Sequence, residues 1–156
     1  MTADQPDVFL PLSAALTGFS ERILGYAEEA AGYRGILVKH IGEQNVNALL
    51  SAYATYAAQG LPPAEIARRI LNDQPAPLPA AARALMKLWY TGIWVQPFDY
   101  PPYTTKDAPV IDNMEAYAQS LAWQVAQAHP IGVSRMRFGY WASVPPPLAD
   151  FVGDGK

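Results

Sequence analysis

The chain of 156 residues contains no cysteine. This absence excludes disulfide bonds, thiolate metal sites and cysteine nucleophiles, although it does not fix the cellular compartment. Histidine is almost as scarce, because only His40 and His129 are present. They lie far apart in the sequence, and neither has a second histidine at metal-ligand spacing. We therefore interpret both as structural or surface histidines rather than as metal ligands or general bases.

Charged residues are also few. Charged residues make up 16% of the chain and hydrophobic residues 51%, with a formal net charge of −3. The only adjacent basic pair is Arg68-Arg69, so the clustered basic face that binds nucleic acid is missing. Much of the outer surface must therefore be Ala, Gln, Tyr and Pro, which a protein partner can cover without desolvating many ions.

No long hydrophobic run is intact. Two stretches of about 20 residues, 44–64 and 116–134, lack charged residues and have the length of a membrane span. The first contains Asn, Gln and Pro62-Pro63, and the second contains three Gln, His129 and Pro130. Both are too polar and too interrupted to cross a bilayer, so direct membrane insertion is not expected. Residues 1–7 lack the basic and apolar regions of a signal peptide.

The sequence lacks the motifs of independent catalysis. It contains no G-x-G-x-x-G, Walker or G-x-S-x-G sequence. Glu28 and Glu29 would point about 100° apart on a helix, so we interpret them as a solvated face rather than paired carboxylates. Asp112 is interpreted as a helix N-cap. The chain is therefore predicted to have no catalytic, cofactor-binding or metal-binding residues and not to be an enzyme on its own.

The strongest positive signal is helical periodicity. Apolar residues recur at three- and four-residue spacing in five places, namely from Leu10 onward, in 44–59, after Pro62-Pro63, in 80–93 and in 113–126. Ser13 is a candidate N-cap of the first helix, and Gly32 and Gly35 are predicted to break the stretch after it. We predict an all-α protein with a flexible lead over 1–9 and one domain of four to five helices over 10–156.

Two long segments are predicted to be irregular and rich in proline and aromatic residues. Residues 95–109 contain four prolines and three aromatics, and the tail from about residue 129 contains Pro145-Pro146-Pro147. Interfaces are enriched in Trp, Tyr and Arg. We expect part of the following set to be partly exposed and to form one contiguous partner-binding patch: Trp94, Tyr100, Tyr103, Arg137, Tyr140 and Trp141.

Three groups of residues resemble a known family, the small subunits of bacterial membrane-bound FAD-dependent sugar and polyol dehydrogenases, of the D-sorbitol dehydrogenase type. The first is Leu12-Ser13-x-x-Leu16-Thr17-Gly18-Phe19, and the second is Leu88-Trp89-Tyr90-Thr91-Gly92-Ile93-Trp94. The third is Ala116-Tyr117-x-x-x-Leu121-Ala122-Trp123, followed by His129-Pro130-x-Gly132 and Phe138-Gly139-Tyr140-Trp141. The three motifs are short, but they follow the order of that family and cover most of the chain.

The resemblance implies a partner role. In that family a large GMC-type flavoprotein carries the FAD and oxidises the sugar or polyol, and a cytochrome c subunit often receives the electrons. The small subunit has no redox centre and supports the folding, stability and export of the large one. The resemblance thus implies a complex at the periplasmic face of the inner membrane. The export signal of many relatives is not seen in this sequence.

Two other functions remain open on the sequence alone. One is a free-standing helical binding protein whose aromatic loops hold a small sugar or apolar ligand, for example stacked on Trp94 or Trp141. The other is a cofactor-free enzyme that uses His129 with a nearby carboxylate. The missing catalytic motifs disfavour the second of these.

Overall fold

The computed structural model describes residues 7–100 and 107–130, together with Val144 and Pro147. Helices follow one another through most of this part: α1 (Phe9–Thr17), α2 (Glu21–Ala31), α3 (Tyr33–Ile41), α4 (Glu43–Ala58), α5 (Pro63–Asn72), α6 (Leu78–Thr91), α7 (Met114–Ala118) and α8 (Leu121–Val125). The described residues contain no strand, so the predicted all-α class is confirmed. The number of helices exceeds the four to five that were expected.

The first predicted helix is divided at Gly18. This glycine ends α1 with a left-handed backbone (φ 79°), and its N–H donates to the carbonyl of Ala14. Ser20 then caps α2, because its Oγ accepts a hydrogen bond from the N–H of Ile23 at 3.4 Å. The expectation that Ser13 is the cap was wrong, since Ser13 lies buried inside α1.

The corner between α2 and α3 depends on one glycine, not two. Gly32 ends α2 in the left-handed region (φ 66°), as the sequence predicts, whereas Gly35 lies within α3. Glu28 contributes to this corner because both carboxylate oxygens accept the backbone N–H of Arg34 at 3.2 Å. The interpretation of Glu28 as a solvated residue was therefore wrong. Burial raises the pKa of Glu28, although the N–H donors oppose the shift.

Helices α4, α5 and α6 lie where the apolar periodicity places them. The structure starts α6 at Leu78, two residues before the predicted helical stretch over 80–93. Pro79 fits the first helical turn, where a missing N–H leaves no intrahelical bond unmade. Helix α6 contacts α1, α3, α4, α5 and α8, and its buried face is rich in alanine and ends with Leu88 and Trp89. It is the central helix of the described part.

The last predicted helix, 113–126, is interrupted. Ser120 has an extended backbone (ψ 144°) between α7 and α8, which prevents one continuous helix. Asn113, not Asp112, caps α7, because its Oδ1 accepts the N–H of Ala116 at 2.6 Å. The N-cap interpretation of Asp112 was wrong for a physical reason: its carboxylate is bound by Lys39 and His40.

Between α6 and α7 the chain is irregular where it is described. Trp94 and Val110 form one antiparallel bridge, with N–H to O distances of 2.8 and 2.9 Å between their backbones. The bridge brings the two ends of the proline-rich segment together beside α3. Across the ranges given above, the helices are all too short or too polar to span a bilayer.

Candidate functional site

The residues of the three motifs meet around Trp89. This ring is fully buried on α6, and its Nε1–H donates a hydrogen bond to Ser13 Oγ on α1 at 3.0 Å. Its face stacks on Tyr33, with ring centroids 4.2 Å apart. A buried indole N–H requires an acceptor, and Ser13 supplies it from a helix 76 residues away in sequence.

Tyr90 and Gly92 connect the same cluster to α1 and to α7, respectively. The hydroxyl of Tyr90 donates to the carbonyl of Thr17 at 3.0 Å, and its ring meets Phe19 edge-on. Gly92 ends α6 with φ 66°, and a Cβ built there would lie 2.3 Å from the carbonyl oxygen of Ala116. The start of α7 therefore lies directly against the end of α6, and only glycine fits between them.

Tyr33 connects this cluster to the third motif. Its hydroxyl donates to the carbonyl of Ala116 at 2.7 Å. Burial raises the pKa of Tyr33 well above its ordinary value, with Glu28 and Glu115 adding to the shift, so the hydroxyl stays protonated and remains a donor. The described residues of the three motifs thus pack on one another and hold α1, α3, α6 and α7 together. The contacts between them run through side chains and through the backbone carbonyls of Thr17 and Ala116, which gives these residues a structural role.

A second cluster lies at the C-terminal end of α3. The rings of His40 and Trp94 stack in parallel, 4.4 Å apart with an interplanar angle of 7°. His40 Nε2 lies 2.6 Å from Asp112 Oδ2, and Lys39 Nζ donates to Asp112 Oδ1. Tyr100 reaches the same helix end, since its hydroxyl donates to the carbonyl of Ile41 at 3.2 Å. We call His40, Trp94, Tyr100 and Asp112 the α3 anchor.

Asp112 carries the negative charge of the α3 anchor. Its side chain is 5% exposed, and burial alone would raise the pKa of the carboxyl. The hydrogen bonds from Lys39 and His40 outweigh burial and lower this pKa below its ordinary value. Asp112 is therefore a carboxylate paired with Lys39 and His40, not an orphaned buried charge.

Of the six residues proposed for the interface, two are buried and four lie outside the described part. Trp94 is 2% and Tyr100 5% exposed, so neither ring offers the surface that was expected of it in the isolated chain. The two are brought together through Gln96, which accepts from Trp94 Nε1 and donates to the Tyr100 carbonyl. The other four residues, Tyr103, Arg137, Tyr140 and Trp141, lie outside the described part, and so does the contiguous patch that they were to form.

Sequence reasoning missed the exposed apolar residues between positions 98 and 114. Phe98 is 80% exposed, and Val110, Ile111 and Met114 are also exposed. The only sequence signal was the proline-rich context, which predicts irregular backbone but not which side chain faces solvent. The periodicity that identifies a buried face on a helix has no counterpart in irregular chain.

The described residues contain no group of three side chains that could hold a metal ion. His40 and Asp112 are paired, but the positively charged ammonium group of Lys39 binds the other carboxylate oxygen of Asp112. His129 is exposed, with Nδ1 3.4 Å from the carbonyl of Pro130. Comparisons with protein-family models, with curated proteins and with solved structures give no match.

Proposed function

We propose that this chain is the non-catalytic accessory subunit of a bacterial GMC-type FAD-dependent sugar or polyol dehydrogenase. In this proposal it binds and stabilises the large flavoprotein subunit and assists its export to the periplasmic face of the inner membrane. FAD belongs to the large subunit, and a cytochrome c subunit accepts the electrons. The substrate pocket would then lie in the large subunit.

One observation carries most of the support. The three motifs on which the resemblance rests are far apart in the sequence, yet their described residues pack on one another through Ser13, Trp89 and Gly92 and the carbonyl of Ala116. A shared set of packing contacts is what related sequences with a common helical core would have.

The α3 anchor bears on the alternative, a free-standing sugar-binding protein. Sugar stacking needs an open aromatic face, but His40 covers one face of Trp94 and the residue is 2% exposed. Trp94 is thus a poor platform for a ligand in the isolated chain. No contact among the described residues favours the alternative over the accessory subunit.

Co-expression with a GMC-type flavoprotein subunit as the proposed partner tests the proposal. Alone, the chain should not reduce an artificial electron acceptor with sorbitol, glucose or fructose. Together with the flavoprotein, it should raise the yield and activity of that subunit, with flavin absorbance confined to the large chain. A Trp89→Ala variant, which removes the centre of the core, serves as the control and should lose the effect. If the large subunit is equally abundant and active without this chain, the proposed role is wrong.

A further inference from the structure

Helices α7 and α8 have the sequence of one continuous helix. Residues 114–125 are mostly strong helix formers, and Tyr117, Leu121 and Val125 keep a spacing of four residues across the break. Ser120, at the break, does not cap α8, and its Oγ is buried without a hydrogen-bond partner among the described residues. A buried hydroxyl without a partner is unfavourable. The sequence therefore favours a straight helix where the structure has a bend.

One side-chain donor stabilises this bend. The carbonyl of Tyr117 accepts the indole Nε1–H of Trp123 at 3.0 Å, whereas in a continuous helix it would accept the backbone N–H of Leu121. The rings of Tyr117 and Trp123 also meet edge-on, with centroids 5.6 Å apart. On a continuous helix, residues six positions apart lie about 120° apart around the axis and about 9 Å apart along it. Both contacts of Trp123 therefore exist only in the bent form.

The two helices are not held equally. α7 is fixed by the hydrogen bond from Tyr33 to the carbonyl of Ala116 and by its close approach to Gly92. α8 contacts α6, but Leu121 is its one buried residue and Val125 is 50% exposed. Elements with few buried apolar side chains open at the lowest free energy. α8 is therefore the helix that can move while α7 stays in place.

We propose that α8 exchanges between two positions, with Ser120 as the hinge. One is the bent form of the structure, and in the other α7 and α8 are one continuous helix. Straightening breaks the bond between Trp123 and Tyr117, restores the helical hydrogen bonds across residue 120 and releases the Ser120 hydroxyl from its buried position. It also draws Leu121 off α6 and exposes the part of α6 that α8 covers. The exchange is a property of the free chain and requires no partner, so it does not depend on the proposed function.

NMR relaxation dispersion on the full-length chain tests the exchange, because it detects minor forms on the microsecond-to-millisecond timescale. The wild type should show exchange around Ser120, with the Cα chemical shift of Ser120 moving in the helical direction in the minor form. Trp123→Phe keeps a ring but removes the Nε1–H, so it should raise the minor population by about two- to tenfold. Val125→Ala is the matched control, since Val125 is exposed and helical in both forms. It should leave the population unchanged.

Ala122→Pro should lock the bent form. Ala122 is exposed in the first turn of α8, where proline is tolerated, and Pro79 takes the same second position in α6. In a continuous helix the substitution would remove the bond to the carbonyl of Ala118 and clash with it, so the exchange should disappear.

Three results would overturn the inference. The first is no exchange around Ser120 in either the wild type or Trp123→Phe. The second is a minor form in which residues 120–125 have random-coil shifts, because α8 would then unfold rather than join α7. The third is exchange in Ala122→Pro as strong as in the wild type.

Discussion

Asp112 illustrates how a single residue links distant parts of the chain. A nearly buried carboxylate loses much of its hydration and needs donors to compensate. Lys39 and His40 provide them, although they lie more than 70 positions earlier in the sequence. The same interaction explains why Asp112 does not cap α7 and why the loop before α7 lies against α3.

The lowered pKa of Asp112 predicts an acid-dependent loss of stability. The folded chain holds this carboxyl below its ordinary pKa of 3.8, so near that pH it binds fewer protons than the unfolded chain. The stability contributed by the carboxylate is therefore present above about pH 4 and lost as the pH falls through the folded-state pKa. We expect Asp112→Asn to cost about 2 kcal/mol at pH 5. That difference should shrink toward about pH 3 in urea unfolding.

Glu28 serves as a control, because its pKa shift is opposite in sign to that of Asp112. Burial raises its pKa above the ordinary value of 4.5, so the folded chain takes up a proton more readily than the unfolded one. The unfavourable effect of the buried charge is relieved as the pH falls. Relative to Glu28→Gln, the wild type should therefore become more stable on acidification. If the difference in unfolding free energy between the wild type and Asp112→Asn stays constant or widens toward acid, Asp112 does not have the lowered pKa of a paired carboxylate.

At the scale of elements, the residues that precede the two neighbouring short helices α7 and α8 can be compared. Both begin with a residue suited to capping, but only Asn113 accepts a helix N–H, and its Nδ2 also donates to the carbonyl of Ala31. Ser120 is buried, and its Oγ has no hydrogen-bond partner in the part of the chain that the structure describes. Removing the side chain of Asn113 should therefore have a different effect from removing that of Ser120.

We expect Asn113→Ala to destabilise the chain by about 1–2 kcal/mol, since it removes a cap and a bond to α2. Ser120→Ala should cost nothing or stabilise by up to about 1 kcal/mol, because it removes a buried hydroxyl that is not satisfied. Chemical denaturation of the two variants side by side measures both values. Equal losses would show that Ser120 Oγ has a partner in solution.

These elements show what the sequence could predict. Helices α4, α5 and α6 were predictable because each has a long apolar stripe bounded by proline or glycine. The division at Gly18 was not, because Leu16 and Phe19 keep the helical spacing across it. The choice between Asp112 and Asn113 as cap was not predictable either, since it depends on side chains of α3. The same limit explains why aromatic residues near proline were expected to be exposed although Trp94 is buried.

At the scale of the whole molecule, the end of α6 organises the described part. Trp89 and Tyr90 bind α1, Trp94 stacks on α3, and Gly92 lies against the first turn of α7. A shift of this helix end would therefore disturb the core around Trp89 and the α3 anchor together.

Gly92→Ala tests this organisation directly. The new Cβ would lie 2.3 Å from the Ala116 carbonyl oxygen, and φ of 66° is unfavourable for alanine. Left-handed backbone costs about 1–2 kcal/mol, and overpacking adds about 1–3 kcal/mol. We expect a loss of about 2–5 kcal/mol in urea unfolding from the two effects together. Gly35→Ala is the matched control, because it lies within α3 with no atom within 4 Å of its Cβ. It should stabilise the chain by roughly 0.5–1 kcal/mol. A Gly92→Ala variant as stable as Gly35→Ala would mean that α7 does not rest against the end of α6, and the packing of the three motifs would lose its main contact.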